Sequence, residues 1–138
     1  MQNGIKKKYI HMNKIFKILI ILKNASIANK SSAFIIYNRR YLKVLKKLTI
    51  ENLILGYKIL RNLKKIIVFL RFLNFGGSPF NKLQIIGHNR LPIVFSSKSL
   101  YKLLGGSGLY LIFTTKGILT HHECIRFNLG GVCFCHIL

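Results

Sequence analysis

The sequence predicts an α+β protein of two small packed α/β subdomains, the C-terminal one a short mixed sheet with short helices. Three observations carry that expectation. Helical and strand periodicities alternate along the chain, and a Phe-Gly-Gly-Ser-Pro run at 75–79 interrupts them. The 138 residues also suffice for one ordinary domain or two small ones. The expected division is a basic N-terminal arm at 1–9, an N-terminal subdomain at 10–74, a linker at 75–79 and a C-terminal subdomain at 80–138.

Met1–Tyr9 is polar and basic and reads as a projecting arm. From Met12 to Lys23, the apolar residues Ile15, Ile18, Leu19 and Leu22 recur at helical spacing, with Lys14, Lys17 and Lys23 elsewhere on the surface. Phe34-Ile35-Ile36 suits a short strand. Arg40–Leu48 is helical again, with Tyr41, Val44, Leu45 and Leu48 on one face. Leu53–Ile59 and Lys65–Phe72 are β-branched or apolar runs that pair as a hairpin through Leu60–Lys64.

Beyond the linker, Leu83–Ile86 and Pro92–Phe95 read as strands around a turn at Gly87-His88-Asn89-Arg90. Ser97–Leu104 is a short helix stopped by Gly105-Gly106. Leu109–Phe113 is a strand that ends in Thr114-Thr115-Lys116-Gly117, a polar connection to the next helix. Thr120-x-x-Glu123 opens that helix as a capping box, hydroxyl and carboxylate satisfying reciprocal backbone donors. Val132–Ile137 closes the sheet.

Lys and Arg number 23 against only two acids, Glu51 and Glu123, a formal charge of +21. Such a chain repels itself until a polyanion neutralises it. Nucleic acid is the usual polyanion, because phosphate neutralisation releases condensed counterions. An anionic membrane surface competes for the same charge. The apolar fraction of 51% excludes a disordered basic tail, which lacks the surface to bury. Lys17, Lys65 and Arg71 interrupt the apolar runs, so no stretch of about 20 apolar residues is present to span a bilayer. No small-residue cleavage site follows the basic N-terminus, and no signal peptide is expected.

Three cysteines form no even disulfide framework and suit a reducing compartment. Cys133 and Cys135 would share a face of a strand, with His121, His122 and His136 as further ligands. Their C-x-C spacing is nevertheless not that of a zinc knuckle, and no metal or other cofactor is assigned. Two carboxylates 72 residues apart, with no phosphate-cradling loop and no nucleophile elbow, leave catalysis without machinery. An enzyme is not expected, and no small-molecule substrate.

Gly106-x-Gly108, the apolar strand, Thr114-Thr115-Lys116-Gly117, Thr120-x-x-Glu123 and Leu129-Gly130-Gly131 before a closing strand form one ordered series. In order and spacing it resembles the C-terminal signature of the small-subunit ribosomal protein eight family. A weaker likeness extends upstream through Pro92–Ser96, Leu42–Ile54 and Lys23-Asn24-Ala25. The resemblance implies a structural constituent of the small ribosomal subunit that binds the central domain of small-subunit ribosomal RNA. It also implies support of assembly and translation, with neighbouring ribosomal proteins as further partners. RNA contacts carried over by position fall on Thr114, Thr115, Lys116 and Gly117, with Gly130 and Gly131, and upstream on Asn24 and Lys30. The family's serine before the threonine is Phe113 here, its glutamate after Gly-Gly is Val132, and the aromatic near its C-terminus is His136. Abundant Lys, Ile, Asn, Phe and Tyr, with Asp and Trp absent, match an AT-rich coding origin. Together these point to a mitochondrial ribosome, with a plastid as the second choice. The alternatives are a membrane-surface protein and, behind it, a zinc-dependent module.

Overall fold

The computed structural model describes residues 2–74, 77–86 and 93–138, with side chains from Asn13 onward. Two compact units emerge. One is Lys17–Lys82; the other joins Leu83–Leu138 to the residues up to Phe16. The division therefore falls at Lys82, just past the 75–79 run. The turn expected at 87–90 lies outside the described residues.

The first helix, α1, spans Gln2–Ile27, so the residues expected as an arm are helical from Gln2 on. Lysines and isoleucine carry good to moderate helix propensity and no proline intervenes, so the helix extends past its apolar stripe. Within the N-terminal unit, Ile18, Leu19 and Leu22 of that stripe are buried to 1% exposure or less. Next come β1 (Ser32–Ile36), α2 (Arg39–Ile50), β2 (Ile54–Leu60) and β3 (Lys65–Leu70). The sheet order is β1-β3-β2, all antiparallel. Ala33 opposite Val68 and Ile35 opposite Ile66 form its buried face. Phe34 and Ile36 alternate outward, as strand periodicity requires. The expected hairpin is present, and a 3₁₀ turn at Arg61–Leu63 reverses it.

Helix α2 is capped by the Asn38 side chain, which accepts the Arg40 N–H at 3.1 Å. It buries Val44, Leu45 and Leu48, and Lys47 pairs with Glu51 one turn on at 3.1 Å. Both helices end in the same way. Asn29 (φ 55°) follows α1, where the Lys30 N–H donates to Ala25 O at 3.0 Å and the Asn29 N–H to Ser26 O at 3.1 Å. Asn52 (φ 57°) follows α2, where the Leu53 N–H donates to Leu48 O at 2.9 Å. This is the Schellman arrangement, with asparagine at the left-handed position.

The C-terminal unit contains β4 (Leu83–Ile85), β5 (Ile93–Phe95), α3 (Ser97–Leu100), β6 (Leu109–Thr114), β7 (Gly117–Thr120), α4 (His121–Arg126) and β8 (Gly131–Ile137). Strand order is β4-β8-β6-β7, and β5 pairs with the other end of the β8 edge. Every described pairing is antiparallel, which corrects the mixed sheet expected from sequence. Parallel neighbours need crossovers of a dozen or more residues, and these strands are mostly joined by shorter links. Strand β7 is the other correction: the connection after Thr114 leads to a strand, and the helix follows that strand. The expected short helix at Ser97–Leu104 appears as α3 continued by a 3₁₀ turn at Tyr101–Leu103. Leu100, Ile112, Cys124 and Cys133 make the core under the short helices.

A bulge in β8 sets its two faces. Ile112 pairs with Cys133 while Leu111 pairs with Cys135, so β8 carries one extra residue at Phe134. Cys133 therefore shares a face with Ile112, and Cys135 shares the opposite one with Leu111. The expectation that the two thiols share a face fails on that extra residue. All three cysteines are buried. Burial pushes the Cys133 thiol up to about 12 and the Cys135 thiol higher still, so both stay protonated at neutral pH.

Candidate nucleic-acid interface

Thr114–Gly117 is the reversal of a β-hairpin, with Thr114 opposite Gly117 in the β6–β7 ladder. Thr115 and Lys116 are the two loop residues, and both are exposed. Neither adopts a positive φ, so the reversal falls on Gly117, at φ 110°. A side chain is strongly disfavoured there although space is open. The Thr114 hydroxyl fastens the turn from inside: it donates to Gly117 O at 2.9 Å and accepts the Lys116 N–H at 3.2 Å. Thr114 and Gly117 thus shape the loop, while Thr115 and Lys116 present a hydroxyl and an ammonium outward.

Helix α4 is held at both ends. Thr120 and Glu123 form the expected capping box, Glu123 Oε2 accepting the Thr120 N–H at 3.1 Å and Thr120 Oγ1 the Glu123 N–H at 3.2 Å. At the other end Asn128 (φ 55°) closes a third Schellman turn, with the Leu129 N–H donating to Cys124 O at 2.8 Å and the Asn128 N–H to Ile125 O at 3.2 Å.

Gly130 and Gly131 carry the chain from this turn into β8. A Cβ on Gly130 would stand 2.6 Å from Phe95 O, and one on Gly131 would overlap Phe113 O. The pair lets three strands approach, a packing reason independent of any ligand.

Two of the three departures from the resembled pattern, Phe113 and Val132, meet in one place. Val94, Val132, Phe113 and Ile118 lie opposite one another across β5, β8, β6 and β7, and so form a single apolar row on one face. Phe113 and Val132 are direct partners, and the Phe113 ring also packs against Phe134 at 4.6 Å. Where the resemblance leads one to expect a serine and a glutamate, an apolar pair meets across the ladder. His136 does an aromatic's work: it stacks on Tyr110 at 4.1 Å and 12°, with its Nε2 3.2 Å from Ser107 O. His121, buried to 1% exposure, accepts the Tyr110 N–H on Nδ1 at 3.2 Å. Burial foremost, then the neighbouring His122, pulls its pKa below 6.5 and keeps it neutral.

Six of the eight expected contact residues thus lie in the C-terminal unit: four form one hairpin and Gly130-Gly131 serve the strands behind it. Asn24 and Lys30 flank the end of α1 in the N-terminal unit, both exposed. One neighbour of the hairpin had not been singled out from sequence. Phe127, at the C-cap of α4, lies 5.9 Å from Lys116 Nζ and 6.0 Å from the Arg126 guanidinium. Its only sequence signal is an aromatic directly after an arginine at a helix end. Among the described residues, no group of three or more His, Cys, Asp or Glu side chains is placed to hold a metal ion. No described helix is long and apolar enough to cross a membrane.

Residues 13–138 match the family model for Ribosomal protein S8. Small ribosomal subunit protein uS8 of Baumannia cicadellinicola subsp. Homalodisca coagulata is 31% identical over 127 residues, which span 89% of this chain and 95% of the relative. The uS8 protein of Thermodesulfovibrio yellowstonii is 27% identical over 125 residues, 89% and 95% of the two chains. The uS8c protein of Chlorella vulgaris is 27% identical over 132 residues, 89% and 96%. With matching this extensive, on a fold of two antiparallel sheets with helices, the chain belongs to the ribosomal protein S8 family, a structural and non-enzymatic constituent of the small ribosomal subunit.

Proposed function

We propose that the chain binds the central domain of small-subunit ribosomal RNA through the Thr114–Gly117 hairpin and supports subunit assembly and translation. The carrying observation is a tightly fastened turn that holds Thr115 and Lys116 outward, on a chain of formal charge +21. The Lys116 ammonium neutralises phosphate, and the Thr115 hydroxyl suits phosphate oxygen or a ribose 2′-OH. Gly117 lets the backbone come close, and Gly130 and Gly131 hold the strands that present the turn. Asn24 and Lys30 supply a second contact from the N-terminal unit. Recognition is by charge and shape, since A-form duplex hides its base edges in a deep, narrow major groove.

The test is binding to a central-domain fragment of the cognate RNA, competed with an unrelated duplex across a salt series. Each phosphate contact on a duplex contributes about −0.9 to the slope of log K against log salt. Preference for the fragment should survive moderate salt. Lys116→Ala should weaken binding by more than Lys6→Ala. Equal effects of the two changes, or equal competition by both RNAs, overturn the hairpin's role.

The ribosome in question is proposed to be mitochondrial, on the support of the AT-rich amino-acid bias alone. Locating the gene on a bacterial or plastid chromosome overturns that assignment and leaves the RNA reading intact.

A further inference from the structure

Phe127 is 53% exposed and stands apart from the core residues Leu100, Ile112, Cys124 and Cys133. Its backbone is nevertheless firmly placed. The Phe127 N–H donates to Glu123 O at 2.9 Å, and the two bonds of the Schellman turn follow directly after it. Two cations attend the ring, Lys116 from the hairpin tip at 5.9 Å and Arg126 from its own helix at 6.0 Å. An aromatic ring on a fixed backbone, half open to solvent and flanked by positive charge, suits binding of single-stranded nucleic acid. The aromatic face takes a base and the cations take the adjoining phosphates.

We propose that Phe127 is a stacking platform for one unpaired nucleobase, with Lys116 and Arg126 neutralising the phosphates on either side of it. The proposal rests on the reading of the hairpin as an RNA contact and adds the chemical state of the nucleotide beside it. A fully paired duplex has no free base face to offer, so the ligand is a base outside the pairing. The phenyl ring has no hydrogen-bonding group, so the platform accepts any base and leaves identity to its surroundings. Stacking is thereby separated from the charge contact made by Lys116, although the two side chains are neighbours.

The test uses the full chain and two RNAs, a central-domain fragment with its unpaired nucleotides and the same fragment with them paired or deleted. Phe127→Leu should weaken binding to the first by about tenfold and leave the second unchanged, whereas Phe127→Tyr and Phe127→Trp should bind like the parent. With 2-aminopurine at successive unpaired positions, one position should be quenched on binding the parent chain and stay bright with Phe127→Leu. The melting temperature of each variant serves as the folding control. Parental affinity of a folded Phe127→Leu for the first RNA, or equal losses on both RNAs, overturns stacking. The same holds if no position is quenched, which leaves the ring to be covered by protein. If stacking alone is wrong, Lys116→Ala still weakens the fragment selectively. If the hairpin reading is wrong, Lys116→Ala has no selective effect either.

Discussion

The two units are built from the same parts and held together differently. In the N-terminal unit the 12-residue α2 buries a continuous apolar stripe, and β1 and β3 bury alternate residues. In the C-terminal unit α3 has four residues and α4 has six, too short to bury such a stripe. There hydrogen bonds at helix ends, a bulge in β8 and backbone approaching backbone at Gly130 and Gly131 add to a small core of Leu100, Ile112, Cys124 and Cys133. Side-chain packing leaves loops free to drift, whereas closing the ends of short elements fixes the loops themselves. Turns are pinned in both units, at Asn29 and Asn52 in the first and at Asn128 in the second. The unit that carries the proposed RNA contact adds a hairpin fastened from inside by Thr114.

This contrast can be broken, and the packed unit gives the largest effect. Leu45, fully buried on α2, should cost about 2–5 kcal/mol as Leu45→Ala, measured by denaturant unfolding. A cost under 1 kcal/mol would mean that the stripe does not hold the unit. In the C-terminal unit the matching change adds atoms: Gly131→Ala should cost about 1–3 kcal/mol, because its Cβ meets the Phe113 carbonyl. A neutral result would show that β6 and β8 can separate.

The apolar row allows a finer test. Val132→Glu sets a carboxylate beside the Phe113 ring, and Phe113→Ser should relieve part of the damage. A double-mutant cycle should show a coupling of about 1 kcal/mol, and strict additivity would mean that the two side chains do not interact across the ladder. The smallest effect is in pH. With His121 held below 6.5, its contribution to stability is complete above that value and declines as pH falls from 6.5 toward the folded pKa. Urea midpoints should drop between about pH 7.5 and 5.5, and less so in His121→Asn. Parallel curves would remove His121 from the account.

How much could be read in advance follows the same contrast. The α1 and α2 stripes, the β2–β3 hairpin and the Thr120–Glu123 capping box were legible because each repeats or pairs within a few residues. Strand β7 was not, since four residues, Gly117–Thr120, carry no period and sit where a loop motif had claimed them. The bulge was hidden for another reason: Cys133-Phe134-Cys135 reads as plain alternation until β6 imposes its register. The extension of α1 to Gln2 is not legible in the sequence, because a run of lysines has no apolar face to count. Of the proposed site, the hairpin residues were visible as a motif. The structural duty of Thr114, the pairing of Phe113 with Val132 and the place of Phe127 depend on residues brought together by folding.

The asparagines at the helix ends bear on how such a gene can change. Asn29, Asn52 and Asn128 sit at φ 55–57°, inside the left-handed well where glycine is the usual occupant and asparagine the tolerated substitute. Asparagine codons are AT-rich and glycine codons GC-rich, so drift in base composition can replace glycine at these three points without breaking a turn. It cannot do so at Gly117, where φ is 110°, or at Gly131, where no Cβ fits. Mutational pressure is thereby filtered by backbone geometry: glycines that serve only a helix end can be lost, and those that shape the β6–β7 turn and its supporting strand are retained.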